Sequence, residues 1–257
     1  MNQISFNGTL RVWWRFSQEL LRHPLHAIIN ILLTPILYMV GYGVGIGGLI
    51  SVMNYHGIEV PYGAFVNSGI IATAASFSGF FRGSYGGFFS MHYEHLYTLI
   101  STSPLTLLEV ALGHLFWCAS VAAIGGGGAA LVGISLGFGS FSGLPFAIIG
   151  AFFIGWVMAA FGLCCAASFK RISQIEYTVN LLLMPTLFMS GAYFPLEQMP
   201  HSLQLLVKSL PLAALIEFSR NSLLGVPLPT LSLLAPLLWI ALLTPAALWI
   251  VRRRLAR

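Results

Sequence analysis

Residues 145–168 read Pro-Phe-Ala-Ile-Ile-Gly-Ala-Phe-Phe-Ile-Gly-Trp-Val-Met-Ala-Ala-Phe-Gly-Leu-Cys-Cys-Ala-Ala-Ser, twenty-four residues without a charge. A helix crosses the hydrocarbon core of a bilayer with about 20 apolar residues, so this stretch places the chain in a membrane. Working outward, comparable runs occur at 25–47, 62–81, 107–138, 174–193 and 230–251, which predicts six spans. The 107–138 run is longer than a crossing needs and is expected to tilt or to extend past the lipid. The whole composition agrees: 57% of the 257 residues are hydrophobic and 7% are charged. A soluble domain carries about 25% charged residues.

The charges that remain set the orientation. The net charge is +5, but the basic residues flank apolar runs instead of forming one face, which excludes nucleic acid as a partner. Arg11, Arg15 and Arg22 precede the first span, Arg82 follows the second, Lys170 and Arg171 follow the fourth, and Arg252, Arg253, Arg254 and Arg257 end the chain. Alternate connections thus hold ten basic residues on one side and two, Lys208 and Arg220, on the other. Positive charge stays in the cytoplasm, so both termini are predicted inside. The N-terminus does not read as a cleavable signal, because its arginines are spread out and the next apolar run is too long.

Segment 194–229 is apolar enough to raise the question of a seventh span. Pro195, Pro200 and Pro211 cut it into pieces too short to cross. Leu203, Leu206, Val207 and Leu210 recur at helical spacing, as do Leu212, Leu215, Ile216 and Leu223. Two short helices are expected, dipping into the outer leaflet or packed on the bundle. A seventh span would also strand Arg252–Arg254 outside.

At 100° per residue, segment 5–22 gathers Phe6, Leu10, Trp13, Trp14, Leu20 and Leu21 on one side and Arg11, Arg15, Gln18 and Arg22 on another. Such a helix lies flat at the cytoplasmic interface, with tryptophan at headgroup depth and arginine toward anionic lipid. It serves either as an anchor or as a lever joined to the first span.

The connection 82–106 holds Gly83, Gly86 and Gly87, then Phe88-Phe89-Ser90-Met91-His92-Tyr93-Glu94-His95-Leu96-Tyr97-Thr98-Leu99-Ile100, and closes near Pro104. It is too polar to span and too aromatic to lie bare in water. Aromatic and methionine residues mark protein interfaces, so docking to a partner is favoured over a helix lying on lipid. His92 and His95 share a helical face with Glu94 nearby, but a metal centre would require further ligands.

The other chemical signals are weak. Gly125–Gly128 is not followed by Lys-Ser or Lys-Thr and lies inside an apolar run, so close helix approach explains it better than a phosphate loop. The cluster Gly41, Gly43, Gly45, Gly47 and Gly48 reads as a loosened outer end of the first span. Cys118, Cys164 and Cys165 read as small apolar fillers. Glu109, His114 and Glu176 sit near cytoplasmic ends, where snorkelling is cheap. The sequence offers neither a buried acidic chain for a proton relay nor a match between its halves, which argues against a secondary carrier. A membrane enzyme would have only His92, Glu94 and His95 to work with.

The arrangement resembles the ABC-2 family of permeases, the membrane halves of one class of ABC exporters. The features that carry the resemblance are the interfacial helix, six spans, Thr102-Ser103-Pro104-Leu105-Thr106, and Ser190-Gly191-Ala192-Tyr193-Phe194-Pro195-Leu196-Glu197-Gln198-Met199-Pro200. Leu210-Pro211, Arg220, Leu224-Gly225 and Arg252-Arg253-Arg254-Leu255 follow in the expected order. Within the family the chain is most similar to nodulation-type permeases that export lipo-oligosaccharides.

The resemblance implies one all-α transmembrane domain over 1–257 in a bacterial cytoplasmic membrane. It implies a homodimer with two separate ATP-binding subunits, which would hold ATP and magnesium, and no catalytic site or cofactor in this chain. A coupling helix at 88–100 would dock the ATPase through Tyr85, Phe88, Phe89, Met91, Tyr93, Glu94, His95, Leu96 and Leu99. The helices within 195–225 would be extracytoplasmic and re-entrant. Family members often have Glu at the position of Thr98, a departure that Glu94 sits one turn from repairing. Phe77, Phe80, Asn180, Met184, Phe188 and Met189, on spans two and five, are the expected lining of a path along the dimer interface.

Overall fold

The computed structural model describes residues 5–50, 52–94, 105–227 and 230–255. Among these, five helices are long and apolar enough to cross a membrane, and a bent helix pair raises the number to six.

Helix α1 (Phe6–Arg22) runs at the basic end of the molecule. Helix α2 (Pro24–Tyr38) opens on Pro24, whose missing N–H costs nothing in a first turn. It loosens into a π-helical stretch, Met39–Gly45, and a 3₁₀ turn, Ile46–Gly48, where the glycines crowd. The chain then makes an antiparallel hairpin, β1 (Val52–Tyr55) with β2 (Ile58–Pro61), that the sequence reading treated only as a connection. Its two-residue turn puts His56 at φ 50 and Gly57 at φ 80, and the Gly57 N–H donates to Asn54 Oδ1 at 3.0 Å. Two positive φ values suit the strand twist.

The second span departs from its expected length. Helix α3 (Tyr62–Phe81) does not end at Arg82 but passes through a π-helical turn, Arg82–Gly86, into α4 (Gly87–His92). The predicted separate helix at 88–100 therefore starts as the tip of the span itself, and its part from 95 onward lies outside the described residues. Gly83, Gly86 and Gly87 fail to break the helix because they are packing contacts. A Cβ on Gly83 would stand 2.4 Å from the Ala159 carbonyl oxygen, and one on Gly87 would stand 3.0 Å from Leu163. Burial against a neighbour outweighs the low helix propensity of glycine.

Helix α5 (Leu107–Ser135) begins with a reciprocal cap in which Thr106 and Glu109 satisfy each other's backbone. It ends at Gly137, φ 84, with Phe138 N–H donating to the Gly133 carbonyl at 2.8 Å, a Schellman stop inside the expected 107–138 run. Helix α6 (Leu144–Ser168) contains the uncharged stretch 145–168. Helix α7 (Ser173–Thr178) continues through a π-helical turn, Val179–Leu183, into α8 (Met184–Met189). Pro185 lacks the N–H that would bond Leu181, which accounts for the widened turn. Helices α9 (His201–Ser209) and α10 (Pro211–Leu224) meet at 86°, as the prolines forecast. Helix α11 (Thr230–Leu255) ends on Arg252–Arg254, cations that complement a helix C-terminus.

Helices α3, α5 and α6 pack on one another as the centre, with α10 and α11 against α6 and α1 against α5. The apolar window in Tyr62–His92 is 78% buried, whereas Ile31–Gly48 and Pro236–Arg254 are 17% buried, so α2 and α11 form the periphery. The seam of α3 and α6 is built of small residues four apart: Gly79 abuts Gly155, and Gly83 abuts Ala159. Gly126 likewise abuts Ala151, the close approach expected of the glycine run.

Candidate functional site

A cavity of about 1320 Å³ opens between α1, α2, the α3–α4 rod and α5, and Met184 reaches it from α8. Its basic end carries Arg15, Arg22, His23, Arg82 and Glu94; its wall is Ile31, Pro35, Tyr38, Phe77, Phe81 and Trp117. Phe77 and Phe81 lie one turn apart with their rings stacked at 5.5 Å, giving the wall a continuous aromatic surface. His114 lines the cavity while nearly buried, stacked on Phe16 at 4.8 Å and hydrogen-bonded to the Arg82 backbone.

The cavity unites residues that the sequence reading had placed in separate groups. Phe77 and Met184 come from the expected path, Phe89 and Glu94 from the expected docking surface, and Arg15 and Arg22 from the interfacial helix. The remaining expected path residues lie elsewhere in the chain. Phe80 is fully buried and packs on Phe161 at 5.7 Å, so it is a core residue of the α3–α6 seam. Asn180 and Phe188 are exposed on the α7–α8 rod and Met189 is half-buried; none of the three lines the cavity.

The aromatic run at the tip of the second span is divided by the helical period. Phe88 and Met91, expected on the docking surface, turn into the core at 2% and 7% exposure. Tyr85 is half-buried, whereas Phe89, Tyr93 and Glu94 face outward. His95, Leu96 and Leu99 lie outside the described residues. His92 stacks on Phe88 at 3.8 Å, its Nδ1 lies 3.0 Å from the Phe88 carbonyl oxygen, and its Nε2 meets the Arg254 guanidinium. Arg254 also donates to the Ala167 and Phe169 carbonyls at 2.6 and 2.9 Å. Arg254 thereby ties α11 to α6 and to the tip of α4.

Helix α1 is more than a raft on lipid. Val12 and Ser17 are buried, Trp13 packs on Phe116 at 5.9 Å, and the Trp13 indole donates to Ser120 Oγ at 3.1 Å. Phe6, Leu10, Trp14 and Leu21 remain exposed. The apolar side expected to face the membrane is therefore split between α5 and the surroundings, because Gly8 and Gly113 let the two helices approach.

Two further residues were underrated in the sequence. Glu109, read as a snorkelling carboxylate, is 3% exposed and accepts from the Ser5 N–H at 2.8 Å and from the Thr106 N–H at 2.6 Å. Only the Thr-x-x-Glu spacing could have revealed it. Arg220 is 5% exposed; it donates from Nε to Ser68 Oγ at 3.0 Å and from Nη2 to the Gly191 carbonyl at 2.8 Å. Its guanidinium also sits 3.7 Å from the centre of the Phe65 ring. Beside it Tyr55 donates to Asn221 Oδ1 at 2.8 Å, and burial pushes the Tyr55 hydroxyl up to about 12. This group joins the hairpin, α3, α10 and the turn after α8.

The chain is 29% identical over 250 residues to Nodulation protein J of Rhizobium leguminosarum bv. viciae, covering 96% of this chain and 95% of the relative. It is 30% identical over 218 residues to Nodulation protein J of Sinorhizobium fredii (strain NBRC 101917 / NGR234), covering 85% and 82%. It is 29% identical over 219 residues to Nodulation protein J of Rhizobium meliloti (strain 1021), again covering 85% and 82%. Residues 8–224 match the family described as ABC-2 type transporter. With its several apolar spans and a match across most of its length, the chain belongs to the ABC-2 type transporter family as a multi-pass membrane subunit.

Proposed function

We propose that this chain is the permease of an ATP-driven exporter in a bacterial cytoplasmic membrane. In this reading the α7–α8 rod, not the bent α9–α10 pair, is the fifth of six spans, both termini lie inside, and the hairpin, α9 and α10 lie outside. Two copies form the pathway, and two separate ATP-binding subunits supply the energy with their own ATP and magnesium. The cargo is amphipathic, lipid-linked or drug-like, in keeping with an aromatic cavity that has cations at one end only.

One observation carries the reading: the helical rod Tyr62–His92 holds both Phe77, in the cavity wall, and Phe89, which also lines the cavity while standing exposed at the tip. A displacement applied at Phe89 and Tyr93 must move the wall, because a packed helix transmits force as a rigid body. ATP then acts by favouring one arrangement of the rods over another, through the difference in its affinity for the two.

The test is capture of the cognate ATP-binding subunit by the tagged permease. Phe89→Ala with Tyr93→Ala should lose capture while the protein still inserts and elutes as the wild type does, since both side chains are exposed. Capture at wild-type level would remove this tip as the motor contact.

A further inference from the structure

We infer that the cavity beside α1 selects an amphiphile whose head is anionic, drawn from the cytoplasmic leaflet with its acyl tail against the aromatic wall. The inference rests on the permease reading for the direction of travel, and adds to it the charge of the cargo's head. Among the described side chains, Arg15, Arg22 and Arg82 line the basic end of the cavity with one carboxylate, Glu94. They come from α1 and from the π-helical turn of the second span, so the charge is assembled by the fold and not by one sequence cluster. Among the described side chains none of the three forms an ion pair with a carboxylate.

Cations gathered beside low-dielectric walls focus their field into the cavity and raise the local concentration of anions. Guanidinium groups suit phosphate, sulfate or carboxylate oxygens, which accept charge-assisted bonds from a planar fork. From that end the wall continues as Phe81, Phe77, Tyr38 and Ile31, with no further charged residue among the described side chains lining it. A head held at Arg82 would therefore lay its tail along the stacked pair Phe77 and Phe81. The cavity volume, about 1320 Å³, exceeds the usual range for a drug-sized ligand, roughly 300–1,000 Å³, and leaves room for a chain. A free anion would have no use for that wall, which is why an amphiphile is favoured over inorganic phosphate.

The full-length chain in neutral phosphatidylcholine nanodiscs should be titrated with two probes sharing one tail, 12-dansylaminododecyl phosphate and 12-dansylaminododecyl phosphocholine. Binding is read by energy transfer from tryptophan, Trp117 being in the wall. The anionic probe should bind about tenfold tighter, and its affinity should fall with added salt. Arg82→Gln and Arg22→Gln should each abolish most of that preference without changing the phosphocholine probe. Arg252→Gln, away from the cavity, should retain it. Arg22 is exposed, so its substitution leaves the fold intact should Arg82→Gln not express. Equal affinity for the two probes, or an unchanged preference in Arg22→Gln, overturns the inference. Displacement of the phosphate probe by millimolar inorganic phosphate also overturns it, by showing a site for the free anion. Capture of the ATP-binding subunit is measured without any probe, so either reading can fail while the other stands.

Discussion

The Ser5 backbone N–H donates a 2.8 Å hydrogen bond to Glu109 Oε1, joining the first turn of α1 to the first turn of α5. The other carboxylate oxygen accepts from the Thr106 N–H at 2.6 Å and its hydroxyl at 2.8 Å. One ionised side chain thus caps α5 and fixes the start of the interfacial helix. A lever needs such an attachment, because a helix held only by lipid would slide instead of transmitting force.

Glu109→Gln should therefore loosen α1 selectively. The amide keeps one acceptor but turns an NH₂ group toward donors, forfeiting roughly 1.5–3 kcal/mol for hydrogen bonds to a charged group. Hydrogen exchange of residues 6–22 should accelerate by about tenfold or more, at 1.4 kcal/mol per tenfold, while the centre of α5 stays protected. Unchanged exchange in α1 would show that its packing on α5 suffices without the carboxylate.

Arg220 should behave as a clamp for the opposite end. Its guanidinium serves the Phe65 carbonyl at 3.3 Å, Ser68 Oγ at 3.0 Å and the Gly191 carbonyl at 2.8 Å. Arg220→Met removes the charged donor from Ser68 Oγ and the Gly191 carbonyl, while the Phe65 carbonyl keeps its bond from Ser68 Oγ, and should destabilise by about 2–4 kcal/mol. Arg220→Lys keeps the charge but not the planar fork, and should recover only part of the loss. Thermal melting of the purified protein in detergent measures both. A melting point for Arg220→Met equal to that of the wild type would mean that the acceptors find other partners.

The α3–α6 seam should not tolerate a single added methyl. A Cβ at Gly79 would stand 2.4 Å from the Gly155 carbonyl oxygen, and one at Gly83 would stand 2.4 Å from that of Ala159. Backbone atoms cannot turn aside, so Gly79→Ala or Gly83→Ala should cost about 1–3 kcal/mol through overpacking and strain. Gly48→Ala, with nothing within 4 Å, should stay within about 0.5 kcal/mol. Folded yield by size exclusion and the melting point distinguish them. Equal behaviour of Gly48→Ala and Gly83→Ala would refute the close packing.

Much of this was written in local composition. The run 145–168 announces a span because every residue in it can face lipid or another helix without a charge to solvate. Pro211 announces the bend between α9 and α10, since a missing N–H breaks a helix wherever the helix lies. The site was less legible. Phe88 and Phe89 are adjacent and alike, yet one is 2% exposed and the other 45%. Composition could not say where the helix carrying them began, and therefore which of the two pointed inward.

The sequence by itself determined a helical membrane protein with basic residues gathered beside alternate spans and a motif set shared with ABC-2 permeases, because lipid allows few ways to satisfy a backbone. Only the tertiary structure decided that glycines at 83–87 continue a helix, that Glu109 anchors α1, and that Arg15, Arg22 and Arg82 line one cavity with Phe77. Those outcomes depend on which neighbour each residue meets across the bundle. Helix packing at a few ångströms, set by small residues far apart in the chain, makes that choice.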